Sequence, residues 1–149
     1  MKSSSRFGSQ TSTLIKKIAR LLIRLSSRDL AKLHVAHAYS FFLIELWKQD
    51  KQTQAMLYKN IGIEQPTAVK TINRMERDGL ITKERSNDDR RAIHICLTRK
   101  ANQLQNSVFQ CSDRLNKVLL NGFSNNEKKQ LRDYLSRIEN NIQTSLEQE

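Results

Sequence analysis

Residues Glu64–Thr98, EQPTAVKTINRMERDGLITKERSNDDRRAIHICLT, decide how this chain is read. Pro66 suits the start of a helix, where its fixed φ helps and its missing N–H is no loss, and Gly79 suits the left-handed residue past a helix end. Between them Ala68, Val69, Ile72 and Met75 recur at helical spacing, with Thr67, Lys70, Thr71 and Arg74 on the other side. One face packs and the other is free to read a surface. After Gly79, Leu80–Arg85 and Ala92–Leu97 alternate as two strands, with Ile93, Ile95 and Leu97 sharing a face and the polar run Ser86–Arg91 between them.

Just upstream, Thr53 is placed to cap a short helix to Asn60 whose Ala55, Met56, Leu57 and Ile61 are expected to point inward, and Ile61-Gly62-Ile63 turns it into the Pro66 helix. Helix, tight glycine turn, helix is the helix-turn-helix arrangement, whose second helix enters the major groove of DNA. A hairpin with arginines at its tip, directly after that helix, is a wing. Its tip can reach an adjacent minor groove, where negative potential favours arginine.

Further out, residues 1–12 have the polar, serine-rich composition of a flexible tail. From Thr13 to about Arg28, Leu14, Ile18, Leu21, Leu22 and Leu25 mark an amphipathic helix, with Lys17, Arg20, Arg24 and Arg28 along another face. A central helix covers His34–Lys48, and polar residues to Gln52 make a turn. Thr98 caps a helix that Gly122 ends, and Ser124 with Glu127 forms a capping box for a last helix bearing Leu131, Leu135, Ile138, Ile142 and Leu146. These terminal helices carry more apolar surface than a small winged helix covers, so two chains are expected to pair about a two-fold axis. The expected fold is mainly α with a small β wing: one domain over 13–149, a winged helix-turn-helix core at 34–98, and dimerisation helices at 13–33 and 99–149.

A formal charge of +11 and a pI near 10 point to a polyanionic partner, nucleic acid or an anionic membrane surface. The excess is uneven: residues 1–36 hold eight basic and one acidic side chains, residues 64–98 seven and six. The reading segment must therefore act by placement of charge rather than by its amount. The longest apolar stretch, AYSFFLIELW, is ten residues where a span needs about 20, so no membrane segment is expected. No signal-peptide pattern is present, and a cytoplasmic protein is expected. Two cysteines without a CxxC spacing give no disulfide framework. His34 and His37 lie one helical turn apart with nothing placed to complete a tetrahedral site, so no metal or other cofactor is expected. No nucleophile elbow, Walker loop or dinucleotide glycine fingerprint appears, which argues against an enzyme.

Asp89-Arg90-Arg91, followed after five residues by Leu97-Thr98, resembles the wing signature of the MarR family, and GIEQPTAVKTINRMERDGLI at 62–81 resembles its SlyA-like branch. The resemblance implies a homodimeric winged-helix transcriptional regulator, repressor or activator, that binds pseudo-palindromic operators in double-stranded DNA. It places Gln65, Pro66, Thr67, Lys70, Thr71 and Arg74 at the major groove or its flanking phosphates. Arg91 would enter the minor groove with Asp89 orienting it, and Arg90 would contact phosphate. The family often binds a small aromatic carboxylate between the dimer helices and the helix-turn-helix; here Tyr39, Phe42 and Trp47 would form the wall, and Lys17, Arg20 or Arg24 could meet the carboxylate. Oxidant-sensing members use a cysteine near the N-terminal helix, whereas Cys96 and Cys111 lie elsewhere and read as structural. Two other readings of the residues are a winged-helix protein-interaction module and a nonspecific chromosome-packaging protein acting through the basic N-terminal helix.

Overall fold

The computed structural model describes residues 10–86 and 92–148. In chain order these form α1 (Thr11–Ala31), α2 (His37–Lys48), β1 (Gln52–Thr53), α3 (Gln54–Ile61), α4 (Gln65–Arg77), β2 (Ile81–Arg85), β3 (Ile93–Leu97), α5 (Arg99–Leu119) and α6 (Asn125–Leu146). The fold is mainly α, with one antiparallel three-stranded sheet in the order β1-β3-β2. Two compact units divide the chain, Met1–Leu115 and Asn116–Glu149, with the boundary inside α5. Among the described residues no helix is long and apolar enough to cross a membrane.

In the first unit Leu43, Leu57, Ala68, Ile72, Met75 and Ile95 are all fully buried, which brings α2, α3, α4 and β3 to one core. Each large side chain buried this way contributes about 1.5–3 kcal/mol. The helix ends follow local chemistry. Thr53 Oγ1 accepts the Met56 N–H at 3.2 Å and opens α3. Gly62, at φ 74°, ends it with Gly62 N–H on the Lys59 carbonyl and Ile63 N–H on the Tyr58 carbonyl.

Several expectations change. Ala55 and Met56 are exposed; a helix of eight residues offers the core one narrow stripe, which Leu57 fills and Ile61 extends one turn later. The central helix starts at His37, because His34 sits at φ 56°, outside right-handed helix geometry. Strand β1 lies where a turn was expected, pairing Gln52 with Ile95 and Thr53 with His94. Gln52 is 1% exposed, yet its side chain is satisfied. Its amide donates to the Glu45 and Gln49 carbonyls and its oxygen accepts from Asn60 Nδ2.

The second unit is built differently. The capping box forms as read, with Glu127 N–H on Ser124 Oγ at 3.2 Å and Ser124 N–H on Glu127 Oε2 at 2.7 Å. The Ser124 N–H first, and then the Ser124 hydroxyl, hold the Glu127 carboxyl below its usual pKa. Helix α6 itself has no buried residue; Tyr134, Leu135, Ile142 and Leu146 are all about half exposed or more. Within the first unit α1 is similar, with Leu14, Ile18, Leu21 and Ile23 exposed and Leu30 buried.

Candidate nucleic-acid interface

Helix α4 is fixed at its end more firmly than at its start. Glu64 is the N-cap without a side-chain cap bond, and Pro66 lies in the first turn. At the other end Gly79, at φ 75°, lets its N–H reach the Glu76 carbonyl at 3.0 Å while Leu80 N–H reaches the Met75 carbonyl at 2.9 Å. Leu80 is thereby turned into the core and the chain passes directly into β2.

Of the six reading-helix residues named from the sequence, Gln65, Pro66, Thr67, Lys70 and Arg74 are exposed. Thr71 is not. It is 7% exposed and its hydroxyl donates to the Thr67 carbonyl at 3.0 Å. The reason is spacing: Thr71 lies three residues after Ala68 and four before Met75, on the packed stripe. Val69, expected inside, is only half-buried.

Ion pairing separates the cations. Arg77 Nε lies 3.0 Å from Asp78 Oδ1, and Lys83 Nζ lies 2.8 Å from Glu76 and donates to Asn73 at 2.7 Å, tying β2 to α4. Lys70 and Arg74 are in no ion pair among the described residues. The exposed face of this helix thus carries two cations that are in no ion pair among the described residues.

Asp89, Arg90 and Arg91 lie outside the described residues. At the wing root β2 and β3 pair in register from Ile81 opposite Leu97 to Arg85 opposite Ile93, and Ser86 N–H extends the ladder to the Ala92 carbonyl at 2.9 Å. Ile93 is 45% exposed at this end, whereas Ile95 is buried. A concavity of about 460 Å³ lies among the starts of α3 and α4 and the wing root, lined by Thr53, Gln54, Tyr58, Gln65, Ala92 and Ile93. Gln54 and Tyr58 carry no sequence signal for this place, since nothing local shows that α3 begins beside the wing.

The three aromatics expected to wall a ligand pocket do other things. Phe42 is in the core at 2% exposure. Tyr39 is buried too, and its hydroxyl donates to Asp78 Oδ2 at 2.7 Å, from α2 to the end of the reading helix. Burial first, then the Asp78 carboxylate, push the Tyr39 hydroxyl pKa up, while the Tyr39 and Arg77 hydrogen bonds draw the Asp78 carboxyl down. Trp47 packs on Phe109 with ring centroids 5.5 Å apart, and its buried indole N–H has no acceptor among the described residues.

A groove of about 400 Å³ does exist among α1, α2 and α5, but its lining includes Leu22, Ile23, Ser26, His37, Phe41 and Ser112. None of the three aromatics lines it, nor do Lys17, Arg20 or Arg24. An apolar helix looks alike from every side in sequence, so the face of α2 that meets a groove was not legible. His37 Nδ1 lies 3.2 Å from Ser26 Oγ, its ring meets Phe41 edge-on at 5.1 Å, and burial pushes its pKa down. Cys96 and Cys111 are buried, and burial is the main reason the Cys96 thiol is pushed up to about 11, far from a reactive thiolate. No group of three His, Cys, Asp or Glu able to hold a metal occurs among the described residues.

Residues 41–93 match the MarR family model, a span from α2 into the start of β3. In fold the chain is similar to the transcriptional regulator SlyA, with a TM-score of 0.86 at 24% identity over 92% of this chain and 96% of that one. It is 26% identical to a MarR-family transcriptional regulator from Listeria monocytogenes complexed with 26mer DNA, with a TM-score of 0.83 over 90% and 89% of the two chains. A SlyA-like transcription regulator from Listeria monocytogenes is 27% identical, with a TM-score of 0.79 over 86% and 85%.

Proposed function

We propose that this chain, a MarR-family winged-helix protein by its match over residues 41–93 and its fold, acts as a homodimeric regulator of transcription that binds specific sites in double-stranded DNA. The observation that carries this reading is the exposed face of α4. It presents Gln65, Thr67, Lys70 and Arg74 on a helix seated by a buried opposite face, with both cations outside any ion pair among the described residues. Lys70 and Arg74 bond guanine edges or phosphates, Gln65 can pair with adenine, and Thr67 serves a base or a phosphate. Pro66 packs at the groove edge. Thr71 has no place in this set, because it faces the core. Arg91, oriented by Asp89, enters the minor groove and Arg90 takes a phosphate, as in the family's wing pattern.

The exposed apolar stripes of α1 and α6 support pairing of two chains, which sets two copies of α4 at a fixed separation. Residues 13–33 and 99–149 then serve as dimerisation helices around the 34–98 core, and the protein works in the cytoplasm beside the chromosome. A small aromatic effector fits the groove among α1, α2 and α5. Its polar groups are His37 and serine hydroxyls rather than a lysine or arginine, so a neutral hydroxyl-bearing aromatic suits it better than a carboxylate.

Titration of the protein into mixed genomic fragments at two salt concentrations tests the reading. Binding should be evident at low salt and fall by about 10³–10⁵ between 50 and 200 mM salt if six to ten phosphates are contacted. Absence of binding at low salt would favour the protein-interaction module. Competition by random DNA equal to that by any selected site would favour nonspecific packaging.

A further inference from the structure

The last turn of α4 carries a carboxylate where helix electrostatics disfavours one. Asp78 follows the final helical residue, Arg77, beside carbonyls that give a helix C-terminus its partial negative charge. An acid there weakens the helix on its own; Arg77 Nε pairs locally with Asp78 Oδ1 at 3.0 Å, and Oδ2 takes a tertiary contact. The contact is Tyr39, 5% exposed on α2, whose hydroxyl donates to Asp78 Oδ2 at 2.7 Å across 39 residues of sequence. Two further bonds hold the same turn from the start of α5: Lys100 Nζ donates to the Asp78 carbonyl at 2.8 Å and Thr98 Oγ1 to the Gly79 carbonyl at 2.7 Å. No side chain caps the N-terminal end of α4.

The helix is therefore gripped by directional bonds one turn past Arg74 and presents Gln65, Thr67 and Lys70 toward its other end. Thr67 lies 11 residues before Asp78, about 17 Å along the axis. A tilt of about 5° at Asp78 moves Thr67 by about 1.5 Å. Side chains that read base edges must be held to about 0.5 Å. Apolar packing of Ala68, Ile72 and Met75 fixes which face is inward, but it is non-directional and tolerates such a tilt.

We propose that Tyr39 is a positioning residue for sequence reading: its hydrogen bond to Asp78 sets the angle at which α4 presents Gln65, Thr67, Lys70 and Arg74. This rests on the DNA-binding function above. Tyr39 touches no nucleic acid itself; it acts through Asp78.

Tyr39→Phe removes the hydroxyl and keeps the ring in the core. The probes are the duplex that the wild-type protein retains from a random pool and a scrambled duplex of equal length. Tyr39→Phe should lose about fivefold to tenfold in affinity for the retained duplex and less than twofold for the scrambled one, with the melting temperature nearly unchanged. Asp78→Asn, which keeps an acceptor for the hydroxyl, should keep more selectivity than Asp78→Leu. Adding Tyr39→Phe to Asp78→Leu should cost nothing further. Amide exchange at Gly79 and Leu80 supplies a readout without DNA, and Tyr39→Phe should speed it while leaving α5 amides unchanged.

Unchanged selectivity in Tyr39→Phe, or equal loss on both duplexes, overturns the proposal. If the wild-type protein retains no duplex, the DNA-binding reading fails. Exchange at Gly79 and Leu80 then decides the tie by itself, and rates equal to wild type overturn it.

Discussion

Helices α4 and α6 have the same apolar grammar and opposite fates. In α4, Ala68, Thr71, Ile72 and Met75 at three- and four-residue spacing are all buried. In α6, Leu131, Leu135, Ile138, Ile142 and Leu146 follow the same spacing and none is buried. The first helix is completed by its own chain, through α2, α3 and the sheet. The second leaves its stripe exposed, and in the proposed dimer another chain covers it. Periodicity reports that a face is apolar; what covers the face is a separate fact.

The largest expected effect tests that contrast directly. Ile72→Ala should destabilise the protein by about 2–5 kcal/mol, the cost of a cavity in a packed core. Ile142→Ala in a dilute, monomeric sample should cost far less, within about 0.5 kcal/mol as for surface changes, while at high concentration it should weaken self-association. Urea melts at two protein concentrations compare the two variants. Equal destabilisation at both concentrations would break the contrast.

Next come the DNA contacts. Arg74→Ala and Arg91→Ala should each weaken binding to a selected duplex by about 1–3 kcal/mol without changing self-association. Equal affinity for parent and variant, titrated at fixed salt, would remove that residue from the interface. A smaller change, about 0.5–2 kcal/mol, is expected for Ser124→Ala, which deletes the hydroxyl half of the capping box. Helical content measured on heating should fall earlier in that variant.

The smallest effect is one of pH. Burial lowers the His37 pKa below its ordinary 6.5, so the unfolded chain takes up this proton first. The neutral imidazole's contribution is complete above pH 6.5 and is lost as pH falls toward the folded value. Unfolding midpoints at pH 7.5 and 5.5 should therefore differ less in His37→Gln than in the parent. In the groove that His37 lines, thermal shifts with salicylamide at least as large as those with salicylate would match its neutral lining, and the reverse order would count against it.

Features set by neighbours in sequence were legible. The Thr53 cap, the glycine turn at Gly62, the Gly79 stop and the Ser124–Glu127 box depend on a few adjacent residues and formed as read. What was hidden depends on distant partners. A two-residue strand has no alternation to detect, and Gln52 looks like a turn residue until Glu45, Gln49 and Asn60 satisfy it in the core. Thr71 reads as polar surface, although spacing from Ala68 and Met75 could have placed it inside. The family resemblance makes Tyr39 a pocket wall, and its tie to Asp78, 39 residues away, has no signature in the local sequence.

The proposed regulator holds two copies of α4 at one separation on a single duplex. Selection of bound duplexes from a random pool tests it most directly. The enriched motif should be two-fold symmetric, with half-sites about one helical turn apart, roughly 10 base pairs. Enrichment of a single unsymmetrical site, or no enrichment over random sequence, would contradict it.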